Sequence, residues 1–455
     1  MLPLYLQRWM TEIFPSVPLD QKNYFVCIMA SYLFAYVYFK VFATGRFSGS
    51  YWIKLRHLYI IGVSHLFLLT CFDARSVLQV YIPLIFTFVA TKQRNFFENH
   101  IMMPLTVFVF LIIHLSIHHL VRQMRYYNVY TLDITAPLMM LVIKLSSFAF
   151  TVYDQENNPS FEFLEFLGYS LNFPGLLAGP CVSFDDYKRF VKGETLKEMR
   201  QPEKGRKRVA LIKFALGLFF MIVYLLGRDI LKPEKAIEPE FIRLSFWRQW
   251  IYIHLTNLCW RSKYYFAWLN AEAAYAMMGL GFYVDLNYKP RWNRIVNVKP
   301  SVVEFSADPR QIVSDWNITT NQWLRGCVYK RLEFHQRKGL GKAGFRISLA
   351  TYVVSALWHV IDSLLGFLSR ILFLFCFNGS GNNTLETNLS EAKMAFFPKI
   401  QANNSIHSCI HLNQLCNFSF HIAGIWTFTQ ILPELLLYTS HFHRCCHTIA
   451  KSIRL

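Results

Sequence analysis

The stretch IMMPLTVFVFLIIHLSIHHLV, Ile101 to Val121, decides the fold class. It runs for about 20 mostly apolar residues, the length a helix needs to cross a bilayer. In hydrocarbon every backbone amide must bond within its own segment, so such a run is helical. It lacks the apolar–polar alternation of a membrane barrel strand. Two further runs in the first hundred residues have the same character, Tyr24–Phe39 and Val80–Ala90. Others follow at Asp133–Tyr153, Phe163–Val182, Val209–Leu231, Phe246–Trp260, Tyr264–Tyr283, Arg346–Phe377 and Phe420–Tyr438.

These blocks predict an all-α, polytopic transmembrane protein with about nine to eleven membrane segments, spans or re-entrant. Composition agrees. Of 455 residues 54% are hydrophobic, 17% aromatic and only 16% charged, less charge than a soluble chain carries. The N-terminus has no basic region leading into an apolar core and cleavage site, so the first membrane helix is expected to act as an uncleaved signal. The net charge of +19 suggests nucleic acid in a soluble protein. Here it sits in short loops between apolar blocks, where it orients the chain with its basic loops in the cytosol. Lys192–Arg208 is the richest such loop. No nucleic-acid partner is expected. The ten cysteines include no CxxC pair, and the crowded HFHRCCH near the C-terminus suits no standard zinc spacing. No metal is expected.

Polar side chains at membrane depth are candidates for chemistry because they are costly there. His114, His118 and His119 read mainly as interfacial histidines beside Arg122. Asp133 and Lys144 are spaced to share a helix face and are assigned no chemistry. His359 lies about 20 Å along a helix from Arg346. Its neutral ring reads equally as a proton acceptor or as a buried structural histidine. The amide-rich SDWNITTNQWL, Ser314 to Leu324, is followed by a strongly basic stretch. Its tryptophans alone read as interface-belt aromatics. GLGKAG, Gly339 to Gly344, matches a dinucleotide fingerprint but follows no strand, and is discounted. A nucleophile elbow, a P-loop and HExxH are all absent.

WNITTNQWL, a basic stretch and then SALWH together resemble the membrane-bound O-acyltransferase family, and its lysophospholipid acyltransferase branch in particular. LDITAPLMMLVIKLSSFAFTVYD, LLAGPCVSFDDYKRF, KYYFAWLNAEAAYAMMGLGF and RWNRIVNV add to the resemblance, in that order along the chain. It implies membrane helices around an internal catalytic tunnel, in the endoplasmic reticulum membrane. It also implies transfer of a fatty acyl chain from acyl-CoA, as co-substrate and with no cofactor, to a lysophospholipid. The catalytic pair carried over by motif is Asn317 and His359, with Trp316, Asn321 and Trp358 in support. Lys330, Arg331, Lys338 and Lys342 are candidate contacts for the coenzyme A phosphates, or ordinary loop charges. The lysophospholipid headgroup stays open.

The resemblance breaks after His359. The family continues with glycine and a PGYY-like turn, whereas this chain continues with Val360 and a polar stretch carrying sequons at Asn378, Asn382, Asn388 and Asn403. The expected division is therefore an acyltransferase core at 1–359 and an atypical tail at 360–455. That tail is either a divergent end or the product of an altered frame or exon. An altered tail makes a catalytically inactive membrane scaffold one alternative; a transporter-like protein, using the intramembrane histidine and asparagine as a relay, is another.

Overall fold

A computed structural model describes residues 17–43, 49–125, 132–155, 161–197, 205–284, 289–337 and 344–359, with Glu12 and Asn287. The tail from Val360 onward, with the apolar block at Phe420–Tyr438 and the HFHRCCH cluster, lies outside these residues. The regular structure of the described chain is helical apart from one hairpin of two-residue strands, Tyr283–Val284 (β1) against Pro290–Arg291 (β2). Among the described residues, five helices are long and apolar enough to span a membrane: Leu19–Phe42, Ala74–Lys92, Met102–Arg125, Thr135–Asp154 and Arg206–Gly227.

In chain order, α1 is Leu19–Tyr38, continued by a π-helical turn at Phe39–Ala43. Helices α2 (Ser50–Cys71), α3 (Ala74–Lys92), α4 (Met102–Arg125) and α5 (Thr135–Asp154) follow. Asp73 caps α3 by accepting from the Ser76 amide at 3.0 Å, which satisfies one orphan N–H at the helix start. Helix α5 is the most enclosed of the five candidate spans, and α9 (Arg206–Gly227) the least. Leu211, Ile212, Phe219, Ile222 and Leu226 of α9 are exposed. An apolar helix face of that size has a natural solvent in lipid.

Apolar block and helix differ at three places. Ser50–Cys71 is a 22-residue helix, although Lys54, Arg56, His57 and His65 interrupt its apolar run. Packing resolves those charges. The Arg56 guanidinium donates to the carbonyls of Val191 and Phe42, at 2.5 and 2.7 Å. The blocks 246–260 and 264–283 are joined in a single 33-residue helix, α11 (Phe246–Met278), about 50 Å long. The Arg-Ser-Lys break between the blocks is internal to it because Arg261 is paired with Glu304, at 2.9 and 2.6 Å. The block 163–182 is only partly helical. It forms α6 (Phe163–Ser170), then a 3₁₀ turn at Phe173–Gly175, and then non-helical chain to Ser183.

That irregular stretch is buried, and non-helical backbone at membrane depth needs protein partners. It has them. Ser64 donates to the Leu171 carbonyl, Lys144 Nζ to the Ser170 carbonyl at 3.1 Å, and the Cys181 amide to Thr319 Oγ1 at 3.3 Å. Lys144, 1% exposed, is thus a structural lysine. Gly179 is required here, since a Cβ would lie 2.8 Å from that of Ala271.

The short α7 (Phe184–Val191) and α8 (Glu194–Lys197) precede α9, and α10 (Pro239–Ile242) lies just before α11. Helix α11 packs along α9 and α1. Its second half carries Ala267, Ala271, Ala273, Ala274 and Ala276, all buried. Small residues let helix backbones approach closely, and Gly217 of α9 leaves no room for a Cβ against the Asn270 amide. Arg206, at the start of α9 and the end of the basic loop, is buried. It stacks on the Phe39 ring at 3.7 Å and donates to the Met277 carbonyl.

One charge pair lies inside this packing. Glu272 of α11 pairs with Lys213 of α9 through Oε2, and its Oε1 accepts the amides of Asn297 and Val298 at 2.7 and 3.3 Å. Removing one partner of a buried pair costs about 3–5 kcal/mol, whereas replacing both by apolar residues is often neutral. Lys213→Ala is therefore expected to lower the thermal unfolding midpoint of the purified chain strongly. Lys213→Met with Glu272→Leu is expected to recover only part of the loss, because two buried amides lose their acceptor at about 1–3 kcal/mol each. Full recovery in the double variant would show that those two amide bonds contribute nothing.

Candidate active site

The site is built from the chain that follows α11. Helices α12 (Pro300–Phe305), α13 (Pro309–Asp315) and α14 (Ile318–Trp323) are short and closely spaced. A π-helical segment at Leu324–Tyr329 leads on to α15 (Lys330–Arg337), and α16 (Gly344–His359) ends the described chain. Each short helix is tied down. Glu304 of α12 accepts from Arg261 and from the Tyr265 hydroxyl of α11. Lys299 bonds Asp315 twice, through its amide to the carbonyl at 3.0 Å and through Nζ to the carboxylate at 2.6 Å. Trp316 is buried against Tyr264, Tyr265 and Trp268 in edge-on contacts, the nearest with centroids 4.8 Å apart. Such contacts contribute about 0.5–1.5 kcal/mol each beyond burial. Trp316 is therefore an anchor holding the loop onto α11.

With both neighbours fixed, Asn317 takes the turn. Its φ of 45° and ψ of 53° are left-handed, and it is the one non-glycine residue with positive φ among the described residues. Asparagine tolerates this region better than other side chains. A conformation of this kind persists only where its surroundings fix it. Here they do. Asn297 accepts the Thr319 amide at 3.1 Å and the Thr319 hydroxyl at 2.7 Å on Oδ1, and its carbonyl accepts the Ile318 amide at 2.8 Å. Asn297 Nδ2 and Thr320 Oγ1 then donate to Asn317 Oδ1 at 3.2 and 2.9 Å. Asn321 turns the other way, donating to the Val313 carbonyl at 2.7 Å, so its amide closes the end of α13.

The histidine half sits at the end of α16. Trp358 is 1% exposed and donates its indole N–H to the Met139 carbonyl of α5 at 2.9 Å. His119 of α4 lies with Nε2 3.3 Å from the Trp358 carbonyl. A carbonyl only accepts, so Nε2 carries the proton in that bond. His119 was legible in sequence only as an interfacial histidine; its contact to the residue beside His359 depends on helix packing. His359 itself is half-buried and meets the Trp358 ring edge-on.

The two halves meet through tryptophans. Trp323 stands about 9 Å beyond Asn317 along α14 and packs on Trp358 with centroids 6.0 Å apart. Its indole N–H donates to Ser146 of α5 at 2.8 Å. Asn317 Oδ1 is committed to Asn297 and Thr320, so the structure joins Asn317 and His359 through this tryptophan pair and the wall of α5. Both candidates are half-buried.

Of the four candidate phosphate contacts, Lys330 is exposed. Arg331 forms a two-bond pair with Asp154 at 2.7 and 2.5 Å and lies over the Phe150 ring. Its hydrogen bonds to Asp154 hold the guanidinium above its ordinary pKa. Lys338 and Lys342 lie outside the described residues, as does most of GLGKAG. Among the described residues no group of three His, Cys, Asp or Glu side chains is arranged to hold a metal ion.

The model of the membrane-bound O-acyltransferase family matches residues 47–397, a span that runs past His359. The chain is 30% identical over 371 residues to a lysophospholipid acyltransferase of Schizosaccharomyces pombe, covering 77% of this chain and 69% of that protein. It is 30% identical over 344 residues to a lysophospholipid acyltransferase of Saccharomyces cerevisiae, covering 68% and 54%. With lysophospholipid acyltransferase 6 of Drosophila melanogaster the identity is 26% over 383 residues, covering 77% and 50%. The chain thus spans between half and somewhat over two thirds of these relatives' own lengths. From the family match across most of its length, the chain belongs to the membrane-bound O-acyltransferase family.

Proposed function

We propose that this protein transfers a fatty acyl chain from acyl-CoA to the free hydroxyl of a lysophospholipid, in the endoplasmic reticulum membrane. The observation that carries the reading is that Asn317, held in its turn by Asn297 and Thr320, and the half-buried His359 lie on two segments that meet at Trp323 and Trp358. The likeness to three proteins named lysophospholipid acyltransferases supports it.

The acceptor hydroxyl is a poor nucleophile at neutral pH. His359 takes its proton as the oxygen attacks the thioester carbon, a contribution of about 10²–10⁴ in rate. The carbon–sulfur bond then breaks, and the proton passes from His359 to the departing thiolate of coenzyme A. During attack the thioester oxygen gains negative charge, and an amide N–H of Asn317 stabilises it. One such donor contributes about 10²–10³. Excluding water from the reacting groups limits hydrolysis of the thioester. Lys330 and, in the basic stretch beyond α15, Lys338 and Lys342 attract the phosphates of coenzyme A. Arg331, already bound by Asp154, is the weakest of the four for that task. The division of the chain at His359 belongs to the same proposal. Sequencing the transcript tests it, since a family-like continuation in another frame would assign 360–455 to an altered end.

The direct test expresses the full chain in membranes with labelled acyl-CoA and a panel of lysophospholipids. Wild type is expected to form acylated product. His359→Ala is expected to lose about 10²–10⁴ of the rate, and equal product from both would remove His359 from the mechanism. Absence of product with every acceptor would favour a scaffold or transporter. A second variant separates fold from chemistry at Asn317. Asn317→Gly relieves the left-handed backbone and is expected to keep more of the unfolding midpoint than Asn317→Ala, while losing about 10²–10³ in kcat. Asn317→Ala is expected to lose both, with a backbone cost of about 1–2 kcal/mol. Wild-type kcat in Asn317→Gly would exclude its side chain from the reaction.

A further inference from the structure

The hydrogen bonds around Asn317 carry a direction. The two ends of an asparagine amide differ chemically, since the oxygen only accepts and the nitrogen only donates. Which end faces which neighbour is fixed wherever one neighbour is unambiguous. The Thr319 backbone N–H is such a neighbour, because it can only donate. The Asn297 atom it meets at 3.1 Å is therefore Oδ1, which the Thr319 hydroxyl also reaches at 2.7 Å. That leaves the Asn297 NH₂ group turned toward Asn317, 3.2 Å away. A donor needs an acceptor, so the Asn317 atom facing it is also Oδ1, and the Thr320 hydroxyl adds a second donor at 2.9 Å. By this relay the orientation of a peptide N–H fixes the orientation of two side-chain amides. The Asn317 NH₂ is left on the opposite side, with no hydrogen-bond partner among the described residues.

We propose that Asn297 is a positioning residue that sets the polarity of Asn317, so that Asn317 presents its N–H groups, and not its carbonyl, to the oxygen that gains charge during acyl transfer. The proposal rests on the acyl-transfer reading of the site. Asn297 is suited to the task because it is itself immobile. It is 1% exposed, and its backbone amide is held by Glu272 at 2.7 Å. An Asn317 free to flip would spend part of its time with a carbonyl toward the developing oxyanion, which repels it.

Asn297→Asp is the test. Aspartate has nearly the same shape and still accepts from Thr319, but it offers Asn317 an acceptor in place of a donor. The Asn317 amide then rotates to donate to it, and its carbonyl faces the substrate. The expected result is a fall in kcat of about 10²–10³, with KM for both substrates within about twofold; the unfolding midpoint falls too, because the new carboxylate is buried beside Glu272, and the comparison between backgrounds separates that loss from the loss in kcat. In an Asn317→Ala background the same change is expected to cost nothing further, because no amide remains to be turned. Unchanged kcat in Asn297→Asp overturns the proposal, and so does an equal loss on both backgrounds, which marks a merely structural residue. Should Asn297→Asp fail to fold, Thr320→Val decides. It removes the other donor to Asn317 Oδ1, and kcat is expected to fall about five- to tenfold at unchanged KM; unchanged kcat again overturns the proposal. Full activity of Asn317→Ala would sink the acyl-transfer role of Asn317 first, and the proposal with it.

Discussion

The carboxylate of Glu272 is the charge on which the site depends. A carboxylate this deep among helices is unfavourable unless every lone pair is used. One oxygen takes the Lys213 ammonium, and the other takes two consecutive backbone amides, those of Asn297 and Val298. Those bonds join α9, α11 and the loop before α12. A helix pair alone can be held by small residues and dispersion, as the alanine-rich half of α11 is. A loop cannot, because its backbone must find partners one by one. Glu272 supplies them at the position from which Asn297 reaches forward to Asn317.

The rest follows in sequence from that anchor. Asn297 fixed by Glu272 fixes Ile318, Thr319 and Asn317. Trp316, held in the aromatic cluster on α11, and Asp315, held by Lys299, keep the preceding residues from relaxing. Between these restraints Asn317 has little choice but the left-handed turn. A strained residue held from both sides is preorganised, and preorganised donors lose little in reorientation when charge develops. On the other side, α5 serves both halves through Ser146 and Met139, which accept the indole N–H groups of Trp323 and Trp358.

Sequence made the class and the catalytic candidates legible, and geometry supplied their supports. Long apolar runs such as Met102–Arg125 could only be helices, because length and composition alone determine that outcome in lipid. Ser50–Cys71 is not legible as an apolar run because Arg56 and His57 interrupt it, and it is Val191, Phe42 and Tyr187, distant in sequence or outside the run, that satisfy them. Phe246–Met278 read as two pieces for a similar reason, as Glu304, far along the chain, neutralises Arg261. Asn317 and His359 were found by resemblance of their motifs. Asn297, in RIVNV, lay within a quoted motif and yet had no visible role. Its partners are 20 to 25 residues away in sequence, and no local periodicity brings such positions together. In sequence Glu272 is a single acid in an apolar stretch, and nothing there shows that Lys213 faces it.

The most direct measurement of this account is hydrogen–deuterium exchange on the full chain in membranes or detergent, wild type against Glu272→Ala. Slow exchange is expected in wild type for the amides of Asn297 and Val298 and, through Asn297, for those of Ile318 and Thr319. In Glu272→Ala all four are expected to exchange faster together, while the amides of α4 keep their protection. If Glu272→Ala left the 318–319 amides as protected as before, the carboxylate would not be what holds Asn317 in place, and the account would fail.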